Sequence, residues 1–144
     1  MKKPRHLKLI IILAILIVLM GFVYYRYTQS FSYQYTAARQ ADAKKDYDAA
    51  IPHYLKALES DQNDVKVLCA LGNDYIRLKR PGMAENYLLR AVKSNGSYER
   101  AFELLLKLYE SEAAYNKMED IYQYAESDQV KTLFTNGLGS HPRF

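Results

Sequence analysis

Residues 68–91, LCALGNDYIRLKRPGMAENYLLRA, decide the fold of this 144-residue chain. Apolar and small residues recur within this stretch at the spacings of two amphipathic helices, and Arg80-Pro81-Gly82 separates the two. Proline suits the first position of a helix, so the second helix is predicted to begin at Pro81. The stretch therefore predicts a helical hairpin.

The same pattern returns along the chain with a period of 34 residues. Four sets of positions keep this spacing: Ala57, Ala91 and Ala125; Tyr47, Pro81 and Tyr115; Tyr54, Leu88 and Tyr122; and Ala37, Leu71 and Leu105. A fixed period of this size indicates one supersecondary unit stacked on copies of itself. We therefore predict an all-α array, and the alternative is an ordinary helical bundle with a chance periodicity.

Small residues occupy the positions where the two helices of a unit would approach closely, as at Gly72, Ala84 and Ala91. This order of small and large positions resembles the tetratricopeptide repeat (TPR) family, whose unit is a helix-turn-helix. The resemblance covers residues 31–128 as three repeats, over 31–64, 65–98 and 99–128. It implies a short right-handed solenoid that binds proteins and carries no catalytic site.

The amino terminus carries the second informative pattern. Leu9 to Val23 reads LIIILAILIVLMGFV without a charge, and tyrosines extend this run to residue 27. Residues 9–27 are long and apolar enough for one membrane span, and the basic flank at residues 1–8 predicts a cytoplasmic amino terminus with the repeats outside. The chain thus resembles small membrane-anchored bacterial TPR proteins. A cleaved signal peptide and a buried soluble helix are the alternatives, although no small-x-small cleavage site follows the run.

The net charge of +4 comes from the membrane flank. Residues 1–27 hold five lysines or arginines and no acid, whereas residues 28–144 hold 15 basic and 16 acidic side chains. A nucleic-acid partner would need basic residues clustered on the folded part of the chain. The charge distribution therefore excludes a nucleic-acid-binding footprint.

The sequence offers no catalytic or metal-binding constellation. His6, His53 and His141 lack the spacing of metal ligands, and no nucleotide-binding or hydrolase motif occurs. Cys69 is the single cysteine, so it has no internal disulfide partner and is expected to be a small packed thiol. We predict that the protein is not an enzyme and needs no cofactor or metal.

The resemblance implies that the first helix of each hairpin lines a concave groove. The positions that carry over are Tyr35, Arg39, Asp42, Lys66, Cys69, Asn73, Arg77, Arg100, Glu103, Lys107 and Glu110. From these we predict a partner-binding set of Tyr35, Arg39, Lys66, Asn73, Arg77, Arg100 and Lys107. Basic residues outnumber acids in the groove, which favours an acidic protein or peptide as partner. The alternative is that these are ordinary exposed positions of amphipathic helices.

Two other functions remain open at this point. The repeats could self-associate into a homo-oligomer at the membrane, or the protein could be an envelope chaperone or assembly factor. A terminal repeat exposes the surface that its next neighbour would cover. Val130, Leu133 and Phe134 lie at helical spacing after a candidate cap at Asp128, so residues 129–144 are predicted to form a capping helix and a disordered tail from Asn136 onward.

Two local predictions concern helix ends. Asn95-Gly96 is typical of a helix stop in which the glycine adopts a left-handed conformation. No proline lies between Leu7 and Lys45, so the membrane helix is expected to lead directly into the first repeat helix, with at most one break between Tyr27 and Phe31.

Overall fold

The structure, a computed structural model, describes residues 5–138, and this part of the chain is entirely helical apart from its turns. The helices are α1 (Arg5–Thr28), α2 (Phe31–Ala43), α3 (Tyr47–Ser60), α4 (Val65–Arg77), α5 (Pro81–Ser94), α6 (Glu99–Ser111), α7 (Tyr115–Tyr122) and α8 (Asp128–Leu138). The predicted all-α fold is confirmed, and α5 begins at Pro81 as its sequence predicts.

The helices pair in chain order, α2 with α3, α4 with α5 and α6 with α7. Successive pairs are joined by contacts of α3 with α4 and of α5 with α6. Alanines at the predicted close contacts, Ala57, Ala84 and Ala91, are completely buried. Gly72 on α4 lies directly against Leu88 on α5, where an added Cβ would be 2.4 Å from Leu88 Cγ. The small residues therefore do what the sequence predicts, because they let paired helices approach closely.

The 34-residue period extends to the backbone of the turns within each pair. Lys45, Lys79 and Ala113 all adopt left-handed conformations, with φ of 61°, 56° and 53°. Each is followed by a residue whose N–H closes the end of the preceding helix by donating to a carbonyl five residues back. These hydrogen bonds are Asp46 to Ala41 at 3.0 Å, Arg80 to Tyr75 at 2.8 Å and Ala114 to Tyr109 at 2.8 Å.

The prediction of a left-handed conformation at Gly96 is wrong, because none of the described glycines has a positive φ. Gly96 is instead a site of close approach by the segment that follows α7. A Cβ at Gly96 would be 2.1 Å from the Tyr124 carbonyl oxygen, and the Glu126 N–H donates to the Gly96 carbonyl at 3.0 Å. The glycine therefore joins the end of the second pair to the end of the third.

A continuous core runs between the pairs. Its largest fully buried side chains include Tyr54, Phe102, Leu105, Tyr109 and Ile121. Tyr109 on α6 donates its hydroxyl to Glu85 Oε1 at 3.0 Å, and Lys117 on α7 lies 2.8 Å from the same oxygen. Glu85 belongs to α5, so this group of polar side chains fastens the third pair to the second.

Helix α8 covers α6 and α7. Val130 and Phe134 are buried and Leu133 is partly buried, and the Phe134 ring packs edge-on against Phe102 at 6.0 Å. The cap is Ser127 rather than Asp128, since the Val130 N–H donates to Ser127 Oγ at 3.2 Å. The helix also extends through residues 136–138, where the sequence predicts disorder. The rest of the predicted tail lies outside the described residues.

Helix α1 stands apart from this core. Its segment Leu9–Thr28 is long and apolar enough to cross a membrane, and none of its residues is buried by the rest of the chain. The helix stops at Thr28, and Ser30 caps α2 by accepting the Tyr33 N–H at 3.4 Å. A single break therefore separates α1 from α2, within the interval that the sequence predicts. The basic flank before Arg5 lies outside the described residues.

The Gln34 side chain stabilises the break between α1 and α2 by hydrogen bonds. This buried side chain donates from Nε2 to the Thr28 carbonyl at the end of α1. Its Oε1 lies 2.7 Å from His53 Nδ1 on α3. Because the amide oxygen can only accept, His53 Nδ1 must carry the proton of this hydrogen bond. One side chain thus ties the end of α1 to both helices of the first pair.

Candidate functional site

Helices α2, α4 and α6 carry the predicted groove residues, and the structure brings three of the seven predicted partner-binding residues into one pocket. Arg39, Asn73 and Arg77 line a pocket of about 250 Å³ together with Asp42, Ala43 and Tyr47. We call these six residues the arginine pocket. Arg39 and Asn73 occupy equivalent positions one 34-residue period apart, which explains why consecutive pairs place them side by side.

The arginine pocket presents more hydrogen-bond donors than the chain itself uses. Arg39 Nη1 lies 3.9 Å from Asp42 Oδ2, which is a long ion pair. Within residues 5–138, the exposed Arg77 side chain forms neither a hydrogen bond nor an ion pair. A guanidinium group offers five N–H donors in a planar fork that suits a carboxylate. The pocket can therefore accept a carboxylate group from outside the chain.

Asp42 lines the pocket, and a second acid, Asp74, lies close to it and is completely buried. The Tyr54 hydroxyl donates to Asp42 Oδ2 at 2.7 Å. Neither oxygen of Asp74 has a hydrogen-bond partner, and Asp42 Oδ1 has none either. Burial, and then the neighbouring Asp42, raise the pKa of Asp74 to about 8. The pair of acids therefore retains a proton to a higher pH than an ordinary aspartate does.

Asp74 is absent from the predicted site residues, although the sequence contains a signal for it. Asp74 follows Leu71 by three residues and precedes Tyr75, so it lies on the buried side of α4. An acid on the buried side of a helix is unusual unless it is paired or protonated. Examining polar residues on the apolar side of each helix would have found it.

Other predicted residues gather around Tyr98, which the sequence reading missed. Burial raises the pKa of the Tyr98 phenol, Cys69 and Tyr35 raise it further, and Arg100 lowers it. Tyr35, Cys69 and Arg100 therefore lie within electrostatic range of the Tyr98 hydroxyl, and we call these four residues the Tyr98 cluster. Tyr98 stands 34 residues after Asp64, which caps α4 through its side chain. A tyrosine at a capping position is the signal that could have identified it.

Two features reduce the binding capacity of the Tyr98 cluster. Arg100 Nη1 pairs with Glu103 Oε2 at 2.9 Å, so its charge is already neutralised within the chain. Burial raises the pKa of the Cys69 thiol to about 11, which makes Cys69 the packed and unreactive thiol that the sequence predicts. The Tyr98 cluster therefore offers aromatic surface rather than free charge.

Lys66 and Lys107 complete the predicted set. Both side chains are exposed on the helices that carry the other groove residues, and neither lines the arginine pocket. Among the described residues, no three histidines, cysteines or acids are arranged to hold a metal ion. The arrangement of side chains suits binding by charge and hydrogen bonds.

Comparison with known proteins supports the repeat assignment. The family model for the tetratricopeptide repeat matches residues 32–64 and 65–98, which contain the α2–α3 and α4–α5 pairs. A search of curated proteins gives no match to the chain. The matched segments agree with the first two repeats predicted from the 34-residue period. Residues 32–98 of this all-α chain therefore match two tetratricopeptide repeats, a unit that generally serves as a scaffold for protein–protein interaction.

Proposed function

We propose that the protein is a membrane-tethered scaffold that binds an acidic segment of a partner protein against α2, α4 and α6. The observation that carries this proposal is Arg77, an exposed arginine of the arginine pocket whose side chain forms no ion pair within residues 5–138. Arg39 and Asn73 add donors across the same pocket. Lys66 and Lys107 extend the positive charge along the groove, and Tyr35 and Arg100 add contacts at the Tyr98 cluster.

The charge of this surface determines how the partner would bind. Complementary charge mainly increases the rate of association, and salt screens it over about 8 Å at physiological ionic strength. A carboxylate that enters the pocket would also gain charge-assisted hydrogen bonds from the guanidinium groups. We therefore expect binding that weakens with ionic strength and depends on Arg39 and Arg77.

The tether in this proposal is α1. Its twenty-residue apolar segment has the length of a single span, and the tyrosines near its end suit the membrane interface. The charge asymmetry at the amino terminus favours a cytoplasmic Met1 and repeats on the outer side of a bacterial cytoplasmic membrane. The short break between α1 and α2 would hold the repeats close to the membrane surface.

Self-association is the alternative in which the terminal repeat surface joins two copies of the chain. Helix α8 buries Val130 and Phe134 on that surface, which leaves less apolar area for a second copy. An envelope chaperone or assembly factor would bind its client protein in the same groove. That function therefore differs from the scaffold in the identity of the bound protein and not in the binding site.

The proposal is tested by recovering partners of the full chain from detergent-solubilised membranes. Arg39→Glu with Arg77→Glu should reduce the recovered partner at least about tenfold, because a reversed pair of charges repels an acidic segment. The control is Lys56→Glu, which reverses an exposed charge on α3 outside the pocket. Equal recovery with the pocket variant and the control would contradict the proposed binding surface.

A further inference from the structure

Two neighbouring acids, Asp42 of the arginine pocket and the buried Asp74, lack enough hydrogen-bond donors to satisfy them as anions. Both oxygens of the fully buried Asp74 lack a partner. Asp42 accepts the Tyr54 hydroxyl through Oδ2, which leaves its buried Oδ1 unpaired. Two ionised carboxyl groups carry like charges and only accept hydrogen bonds, so they repel and cannot bond to each other. A shared proton turns one of them into a donor and joins the pair.

The ionisable groups that act on this pair come from the neighbouring helices. Helix α2 supplies Arg39, which lowers the pKa of Asp74 and lies 3.9 Å from Asp42 Oδ2, and helix α3 supplies Tyr54, whose hydroxyl donates to Asp42. No ionisable group of α5 or α6 is among those that act on Asp74. Burial and the second carboxyl group outweigh Arg39, so the pair keeps one proton at pH 7 and releases it above about pH 8.

We propose that the Asp42–Asp74 pair is a proton-binding site that controls the binding of an acidic segment in the arginine pocket. This inference rests on the proposed function, because it concerns the same pocket. With its proton, the pair carries one negative charge beside two arginines, which leaves the site positive. Without the proton, two negative charges balance the arginines and repel a carboxylate from a partner. By linkage, the proton and the acidic segment each strengthen the binding of the other.

The same proton links pH to the stability of the first two pairs of helices. In the folded chain Asp74 keeps its proton up to about pH 8, whereas an unfolded aspartate loses it near pH 3.9. The folded state therefore binds more protons than the unfolded state between these values. Its stability falls as the pH rises from about 4 to about 8, and the fall ends above the pKa of the folded state.

The test uses the full chain in detergent and a defined probe, a hexaglutamate peptide with a blocked amino terminus, a rhodamine label and a free carboxyl terminus. Affinity is measured by fluorescence anisotropy at pH 7 and pH 9 at constant ionic strength. Neither glutamate nor arginine titrates in this window. We expect the wild-type affinity to fall about tenfold from pH 7 to pH 9, the change expected when the peptide binds only the protonated pair.

Asp74→Asn is the decisive variant. Its amide keeps the shape of the side chain, donates to Asp42 and does not ionise, so it mimics the protonated pair. We expect its affinity at pH 9 to match that of wild type at pH 7, with less than about a twofold change between the two pH values. Asp42→Asn leaves Asp74 ionisable, and burial still raises the pKa of Asp74, so this variant should keep a pH dependence whose midpoint lies at a lower pH than in wild type. The control Asp48→Asn removes an exposed acid of α3 and should retain the full tenfold change.

The outcomes separate this inference from the proposed function. Equal wild-type affinity at pH 7 and pH 9 would overturn the proton linkage and leave the scaffold proposal standing. A pH dependence in Asp74→Asn as large as that of wild type would have the same consequence. Absence of binding at both pH values would contradict the pocket as a binding site and this inference with it. The ligand-free chain gives a second readout, because its melting temperature should fall between pH 5 and pH 8 in wild type and much less in Asp74→Asn.

Discussion

At the scale of single residues, the turn within each helix pair holds a non-glycine residue in the left-handed backbone conformation, which favours glycine. Ala113 has φ of 53°, is exposed and uses its N–H only to close the end of α6. A left-handed residue with a Cβ costs about 1–2 kcal/mol, and glycine avoids this cost at the expense of about 0.5–1 kcal/mol of chain entropy. We therefore expect Ala113→Gly to raise the free energy of unfolding by about 0.5–1 kcal/mol.

The matched control for this prediction is Ala49→Gly. Ala49 is also exposed, but it lies inside α3, where glycine costs about 0.5–1 kcal/mol relative to alanine. Thermal melting followed by circular dichroism compares the two variants. Opposite shifts are expected, and a loss of stability of similar size in both would contradict the left-handed turn.

A second residue-scale prediction concerns Gly72, which touches Leu88. A methyl group at Gly72 would be 2.4 Å from Leu88 Cγ, and Leu88 is completely buried and has little room to move. Overpacking of this kind costs about 1–3 kcal/mol, so Gly72→Ala should lower the melting temperature. Gly82→Ala is the control, since it meets nothing within 4 Å on α5 and should stabilise the helix slightly. A neutral Gly72→Ala would mean that the two helices are not in close contact.

These residues show how far the sequence determines the site. The close contact at Gly72 was predictable, because a glycine in a regular pattern of small and large positions has few other uses. Gly96 was misread, because its role depends on residues 124–126, which contact it only in the folded chain. Asp74 and Tyr98 were missed, because their importance comes from burial and from neighbours on other helices, which periodicity alone does not reveal.

At the scale of elements, Gln34 controls how α1 meets the first pair of helices. Its side chain bonds to the Thr28 carbonyl and to His53, and leaving buried partners unsatisfied costs about 1–3 kcal/mol. Gln34→Ala should therefore loosen the junction. Hydrogen exchange at residues 29–31 should become faster, while exchange in α5 should stay unchanged. Unaltered exchange at the junction would show that other contacts fix the angle between α1 and α2.

The helical elements were largely predictable and their ends were less so. The break between α1 and α2 falls within the predicted interval because Ser30 can cap a helix. The cap of α8 at Ser127 and its extension to Leu138 differ from the prediction, since an aspartate and a serine are both good caps and the choice depends on how Val130 and Phe134 dock.

At the scale of the whole molecule, the first prediction is the orientation in the membrane. The basic flank before α1 predicts a cytoplasmic amino terminus, so a reporter that is active only outside the cytoplasm should be active when fused after Phe144. A reporter active only inside the cytoplasm should be silent at the same position. The reverse pattern would place the repeats in the cytoplasm and contradict the proposed tether.

The most direct test of the central claim is photo-crosslinking of the full chain in native membranes. A photoreactive amino acid at Asn73, in the arginine pocket, is compared with one at Lys56, which lies outside it. The account predicts a crosslinked partner protein from position 73, absent from position 56 and lost when Arg39 and Arg77 are both changed to glutamate. Equal crosslinking from both positions, or crosslinks only between two copies of this chain, would contradict a scaffold that binds its partner in this groove.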